Sequence, residues 1–126
     1  MLGETMAAAR VSQTILVVED DHDLRVMLRA LLESEGYDVV TAPEGRSALA
    51  QLERATPDLI LVDLRMPLMD GWELVAALRD RPELAHIPIG IHSSEADRML
   101  PGAVSFVLQK PVDARVLLAR LREHLE

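Results

Sequence analysis

The chain has 126 residues, 49% of them hydrophobic, which is the size of one domain with enough apolar matter for a buried core. It has no cysteine, so disulfides and thiolate metal sites are excluded, and its formal net charge of −8 argues against a nucleic-acid partner and suits cations and basic protein surfaces. The longest apolar runs are far too short to cross a membrane and residues 1–10 carry no signal-peptide core, so a cytoplasmic protein is expected.

Residues 1–12 read as a flexible N-terminal lead, with Met6 as a second candidate start, and residues 13–126 as the domain. Residues 15–18 form a short β-branched run that predicts a buried strand. Leu24, Met27, Leu28, Leu31 and Leu32 then recur at helical spacing, and Gly36 follows where a helix C-terminus belongs. A strand is expected over 39–41. A helix follows through Ala48, Leu49, Leu52 and Ala55, halted before Pro57. Residues 59–62 are continuously apolar, as in a strand covered on both faces. Leu74, Val75 and Leu78 mark a third helix begun near Gly71, whose small size allows φ > 0 in a sharp turn. Strands are expected over 87–91 and 104–108, separated by a short helix over 94–100 that Pro101-Gly102 would close. Val112, Val116, Leu117, Leu121 and Leu125 place a last helix against the core. Repeated β–α units predict an α/β fold with a parallel sheet, right-handed crossovers and helices on both faces.

In such a sheet, ligands bind beyond the C-terminal ends of the strands. Strand one runs into Glu19-Asp20-Asp21, strand three into Asp63, strand four into Ser93-Ser94 and strand five into Lys110-Pro111. Polar residues are common where loops begin, and Asp20 to Asp23 also suit a helix N-terminus. Taken together, the four ends gather carboxylates that repel one another unless a hard cation such as magnesium sits among them. A carboxylate can accept a phosphoryl group, and a fixed ammonium and a hydroxyl can meet the phosphoryl oxygens. Asp63, on the central strand, is the best-placed acceptor. Lys110 is the one lysine beside twelve arginines, and a compact ammonium is not interchangeable with a planar fork at a tight site; chance would leave a lone lysine just as readily.

These residues resemble the receiver domains of bacterial two-component response regulators, of the chemotaxis-regulator type, over residues 14 to 125. The matching segments are Ile15-Leu16-Val17-Val18-Glu19-Asp20-Asp21, then Asp63-Leu64-Arg65-Met66-Pro67-Leu68-Met69-Asp70-Gly71, then Lys110-Pro111, with Asp63 placed 43 positions after Asp20. The resemblance implies a flavodoxin-like five-stranded parallel sheet of order 2-1-3-4-5, to which this sequence brings a shortened fourth helix. It implies Asp63 as phosphoacceptor, and magnesium (or manganese) held directly by Asp20, Asp63 and the backbone carbonyl of Arg65, with Glu19 acting through water. Ser93 would be the switch hydroxyl and Lys110 the phosphoryl partner, with a cis Lys110–Pro111 peptide. The implied phosphodonor is a sensor histidine kinase or phosphotransfer protein, and the domain would assist its own phosphorylation and dephosphorylation without being an enzyme in its own right. Because helix five closes the sequence, output through an unidentified partner protein or a relay is expected, without direct nucleic-acid or membrane contact, and with weak homodimerisation as a further expectation.

The sequence departs from the pattern in places. Ser93 and Lys110 are 17 positions apart, fewer than the resemblance implies, which shortens the fourth helix and remodels the output face. The switch aromatic belongs three positions before the lysine, where Val107 stands. Phe106 is offset by one and so points to the other face, as a core residue, unless a bulge restores it. Ser94, Arg65 and Glu95 are candidate modulators, with Arg65 and Glu95 either paired across the pocket or solvated. Trp72 is read as helix packing. His86 and His92 are read as non-ligands, with His92 a strand residue facing a helix. The competing reading is a receiver-like interaction module that works without phosphorylation. A nucleotide or hydrolytic enzyme lacks any phosphate-loop motif.

Overall fold

The computed structural model describes residues 12–66, 68–94 and 104–125. Five strands, β1 (Thr14–Val18), β2 (Asp38–Ala42), β3 (Leu59–Asp63), β4 (Ile89–Ser93) and β5 (Phe106–Gln109), make one sheet of order β2-β1-β3-β4-β5, parallel throughout. The helices are α1 (His22–Ser34), α2 (Gly45–Leu52), α3 (Gly71–Arg79) and α4 (Ala114–Leu125). The expected lead up to residue 11, and all but Ser94 of the short helix over 94–100, lie outside the described residues, as does Glu95.

The continuous apolar strands follow from burial of both sheet faces, because successive side chains point to opposite sides. Leu16, Val18, Ile60, Val62, Ile89 and Ile91 pack against Ala48 and Leu52 of α2 and Leu74, Val75 and Leu78 of α3. Their neighbours Ile15, Val17, Leu59, Leu61, Phe106 and Leu108 pack against Leu28 and Leu32 of α1 and Leu117 and Leu121 of α4. Each fully buried leucine of these layers stabilises the fold by roughly 1.5–3 kcal/mol.

Helix ends follow local chemistry. The Asp21 side chain accepts from Leu24 N at 3.1 Å and caps α1. At its other end Gly36 adopts φ 94°, with Tyr37 N donating to Leu32 O and Gly36 N to Glu33 O, a Schellman closure. Asp70 and Glu73 form a reciprocal capping box at the start of α3.

Several expectations shift. The α2 helix stops at Leu52, so Ala55 lies beyond it and is exposed. Strand β4 starts at Ile89 rather than residue 87, because the turn before it is closed by Arg79 Nη1 bonding Ala85 O and Ile87 O. Strand β5 starts at Phe106. In α4, Val116 is 42% exposed and Leu117 and Leu121 carry the packing. Gly71 is not needed for positive φ, which falls instead on Leu68 (φ 71°). Gly71 is small because a Cβ there would meet Asp63 O at 2.6 Å and Leu64 Cα at 2.7 Å, so α3 starts pressed against the end of β3. Trp72 packs half-buried against the α2–α3 layer, as expected.

Candidate functional site

All five strands run the same way, so their C-terminal ends share one edge. Glu19 follows β1 by one residue, Asp63 ends β3, His92 and Ser93 end β4, and Lys110 follows β5. Glu19, Asp63, His92 and Lys110 each lie two residues beyond a strand position of the α1–α4 face: Val17, Leu61, Gly90 (opposite Phe106) and Leu108. They therefore converge, and the contacts bear this out. Lys110 Nζ lies 3.2 Å from Glu19 Oε1 and 3.3 Å from Asp63 Oδ2, and His92 Nδ1 lies 3.5 Å from the same Glu19 oxygen.

Carboxylate oxygens of Glu19, Asp20 and Asp63 come within 4.8 Å of one another. Glu19 and Asp63 are buried, whereas Asp20 is exposed at the mouth. Backbone donors fix the two buried carboxylates: Asp21 N donates to Glu19 Oε2 at 2.9 Å and Arg65 N to Asp63 Oδ1 at 3.2 Å. The Glu19 main chain is held as well, with its N–H on Ala42 O and its carbonyl accepting from Arg25 Nη1 at 2.7 Å.

The electrostatics follow from burial. Desolvation, reinforced by the Asp63 charge, pushes Glu19 up to about 7 against the opposing pull of Asp21 N–H and Lys110. Burial also raises Asp63, with Lys110 working against the rise. Burial would lower Lys110, but Asp63 and Glu19 outweigh it and hold the ammonium above its ordinary value. His92 is pushed down to about 3 by burial and by Lys110, so it is neutral at physiological pH. The pocket has more negative charge than one ammonium balances, and every carboxylate offers oxygen, the donor that hard divalent cations take.

Ser93 is buried and faces the α2–α3 side, and its carbonyl accepts from Lys110 N at 3.0 Å. The Lys110–Pro111 peptide is cis. Arg65 and Ser94 are exposed at the pocket's flank. Phe106 is buried among the α1–α4 side chains, with its ring 5.2 Å from that of His124, while Val107 packs on the opposite face. His86 is exposed.

Sequence reasoning missed His92 as a part of this constellation. The linear pattern carries no signal for it, because His92 joins the site only through strand register, as the direct partner of Asp63 across β3 and β4.

An acidic pocket with an adjoining lysine, at the C-terminal edge of a doubly wound sheet of order 2-1-3-4-5, defines a class of signalling domain. The chain matches the response regulator receiver domain model over residues 15–122 and belongs to that family, the receiver domains of two-component systems. Among curated proteins it is 40% identical over 112 residues to the sensor histidine kinase TmoS of Ectopseudomonas mendocina, covering 85% of this chain and 11% of that one. It is 40% identical over 115 residues to an uncharacterized 14.6 kDa protein of Leptolyngbya boryana, covering 87% and 88%. The chain thus spans about a tenth of the kinase and most of the small protein. Among solved structures, the receiver domain of sensor histidine kinase PA1611 from Pseudomonas aeruginosa, with magnesium coordinated in its active site cleft, superposes with a TM-score of 0.81 at 28% identity over 91% of this chain and 98% of that one. No described helix is long and apolar enough to cross a membrane.

Proposed function

We propose that this receiver domain accepts a phosphoryl group on Asp63 from a phosphohistidine of a sensor kinase or phosphotransfer protein, with magnesium or manganese held by Glu19, Asp20 and Asp63. The observation that carries the reading is the meeting of those three carboxylates within 4.8 Å beside a lysine 3.3 Å from Asp63 Oδ2. The donor set fits such an ion. It is all oxygen, and the burial that raises Glu19 and Asp63 is the cost a divalent cation would relieve. The magnesium described for the Pseudomonas aeruginosa relative supports the choice. The Arg65 carbonyl, two residues past Asp63, is assigned as a further ligand. When bound, the ion neutralises charge on the phosphoryl oxygens.

The chain's own residues do the rest. A carboxylate oxygen of Asp63 attacks phosphorus. The new O–P bond forms as the P–N bond to the donor imidazole breaks, and the departing nitrogen keeps the bonding pair. Arg65 N–H orients the acceptor carboxylate. Acyl phosphate formation moves the negative charge from the Asp63 carboxylate onto the phosphoryl oxygens, so the Lys110 ammonium turns to them, and the Ser93 hydroxyl donates to another of them. The domain assists its own modification, and it signals through a partner protein in the cytoplasm. Exposed Arg65 and Ser94, with Glu95, tune how long the acyl phosphate survives.

A second reading, an interaction module independent of phosphorylation, draws on one observation: Val107 and not an aromatic stands on the sheet face of Ser93. The two are separated by treating the chain with acetyl phosphate and magnesium. An acid-labile phosphoryl mass gain on wild type and none on Asp63→Asn is expected. No gain on wild type sinks the acceptor reading and leaves the module.

A further inference from the structure

His92 has no exposed surface, and neither ring nitrogen has a hydrogen-bond partner, although Nδ1 points to within 3.5 Å of Glu19 Oε1. A buried, unpartnered imidazole costs free energy that an aliphatic side chain at the end of β4 would not. Its direct strand partners are Asp63 of β3 and Leu108 of β5, so a leucine in its place would pack on Leu108 without needing a hydrogen bond. The arrangement gives the imidazole a use that belongs to a later state of the site.

Glu19 Oε1 is fully buried and in this structure takes its hydrogen bond from Lys110 Nζ at 3.2 Å. The same ammonium is 3.3 Å from Asp63 Oδ2. If Asp63 is phosphorylated, as proposed above, the lysine is drawn to the phosphoryl group, and Oε1 loses its donor where water does not reach. A buried carboxylate oxygen left without a donor is expensive. The other side-chain nitrogen that the structure places within 4 Å of that oxygen, among the described Lys, Arg and His residues, is His92 Nδ1. Shortening 3.5 Å to an ordinary N–H···O distance takes about half an ångström, a side-chain adjustment.

We propose that His92 is a positioning residue: in the phosphorylated state its Nδ1–H takes over Glu19 Oε1 from Lys110 and keeps the Glu19 carboxylate aimed at the cation. This rests on the acceptor reading of Asp63. It assigns the neutral Nδ1–H tautomer to the imidazole, with Nε2 as the unpaired acceptor.

The test uses beryllofluoride with magnesium as the phosphoryl probe, and Trp72 fluorescence and NMR as readouts. His92→Leu is expected to weaken beryllofluoride affinity about tenfold, the worth of one hydrogen bond to a charged group. His92→Asn, whose amide nitrogen stands in for Nδ1, is expected to recover most of that loss. A purely space-filling role would not give this rescue, because leucine is nearer to histidine in volume than asparagine is. Should His92→Leu misfold, wild-type imidazole 15N spectra decide: the Nδ1–H tautomer, with its proton moving downfield on beryllofluoride addition, is expected. An Nε2–H tautomer, an unmoved proton, or equal affinities for wild type and a folded His92→Leu overturns the assignment while leaving the acceptor reading intact. Failure of wild type itself to bind beryllofluoride overturns both.

Discussion

Gly90 and Phe106 face each other across β4 and β5, and a Cβ built on Gly90 would lie 2.2 Å from Phe106 Cζ. The ring occupies the space that the glycine leaves open and leans toward α4, where it meets His124. The chain's one phenylalanine therefore belongs to the core between the sheet, α1 and α4. Gly90→Ala should destabilise the fold by about 2–3 kcal/mol, since backbone and ring cannot both keep their places. Urea unfolding measures this. Adding Phe106→Leu to Gly90→Ala should restore part of the loss, and strict additivity of the two changes would contradict the contact.

The same pair shows what the sequence reveals and what it hides. Period-two alternation and the place of Val107 were enough to put Phe106 on the core side, and the apolar runs and helical spacings predicted the sheet and its covered faces. Glu19, Asp20, Asp63 and Lys110 were legible because parallel strands must end on one edge. His92 was not, because its meaning depends on pairing with Asp63, and register between distant strands is absent from a linear pattern. Gly71 was misjudged for a related reason. A glycine after a proline-containing loop suggests unusual φ, whereas the need is the close passage of Asp63 O, a contact between segments.

The unusual φ resides on Leu68, at 71° with its side chain 80% exposed. A branched apolar side chain in the left-handed region costs roughly 1 kcal/mol, and this one recovers little by packing. Asparagine tolerates that region far better. Leu68→Asn should raise stability by about 0.5–1 kcal/mol, read as a higher urea midpoint at unchanged slope. A lowered midpoint would show that the leucine makes a stabilising contact that its exposure conceals.

Lys110 bridges Glu19 and Asp63 with a single ammonium. A guanidinium is planar and larger, and it spreads its donors in a fixed fork, so Lys110→Arg keeps the charge and loses the bridge. Beryllofluoride affinity should fall about tenfold or more, the scale of one charged hydrogen bond. Magnesium affinity without beryllofluoride should change less, because the three carboxylates remain. Wild-type beryllofluoride binding by the variant would mean that charge alone suffices.

Titration of the buried Glu19–His92 contact gives a stability signature in the metal-free protein. Glu19 is raised from 4.5 to about 7 on folding, so the folded chain holds the proton more tightly. That contribution is full below pH 4.5 and is lost as pH rises through 7. His92 is lowered from 6.5 to about 3, so its contribution is full above pH 6.5 and is lost as pH falls through 3. Between these ordinary values the two trends oppose each other, and the imidazole offsets the decline that Glu19, with Asp63 acting in the same direction, would impose. Removing the imidazole removes the offset. The stability of His92→Leu relative to wild type, measured by urea unfolding in a chelator, should therefore fall as pH rises from 4.5 to 6.5, by up to about 1.4 kcal/mol per pH unit, and then level off. A difference independent of pH across that window would mean that the imidazole titrates in the folded chain much as it does in water, and that the space under Glu19 is wet.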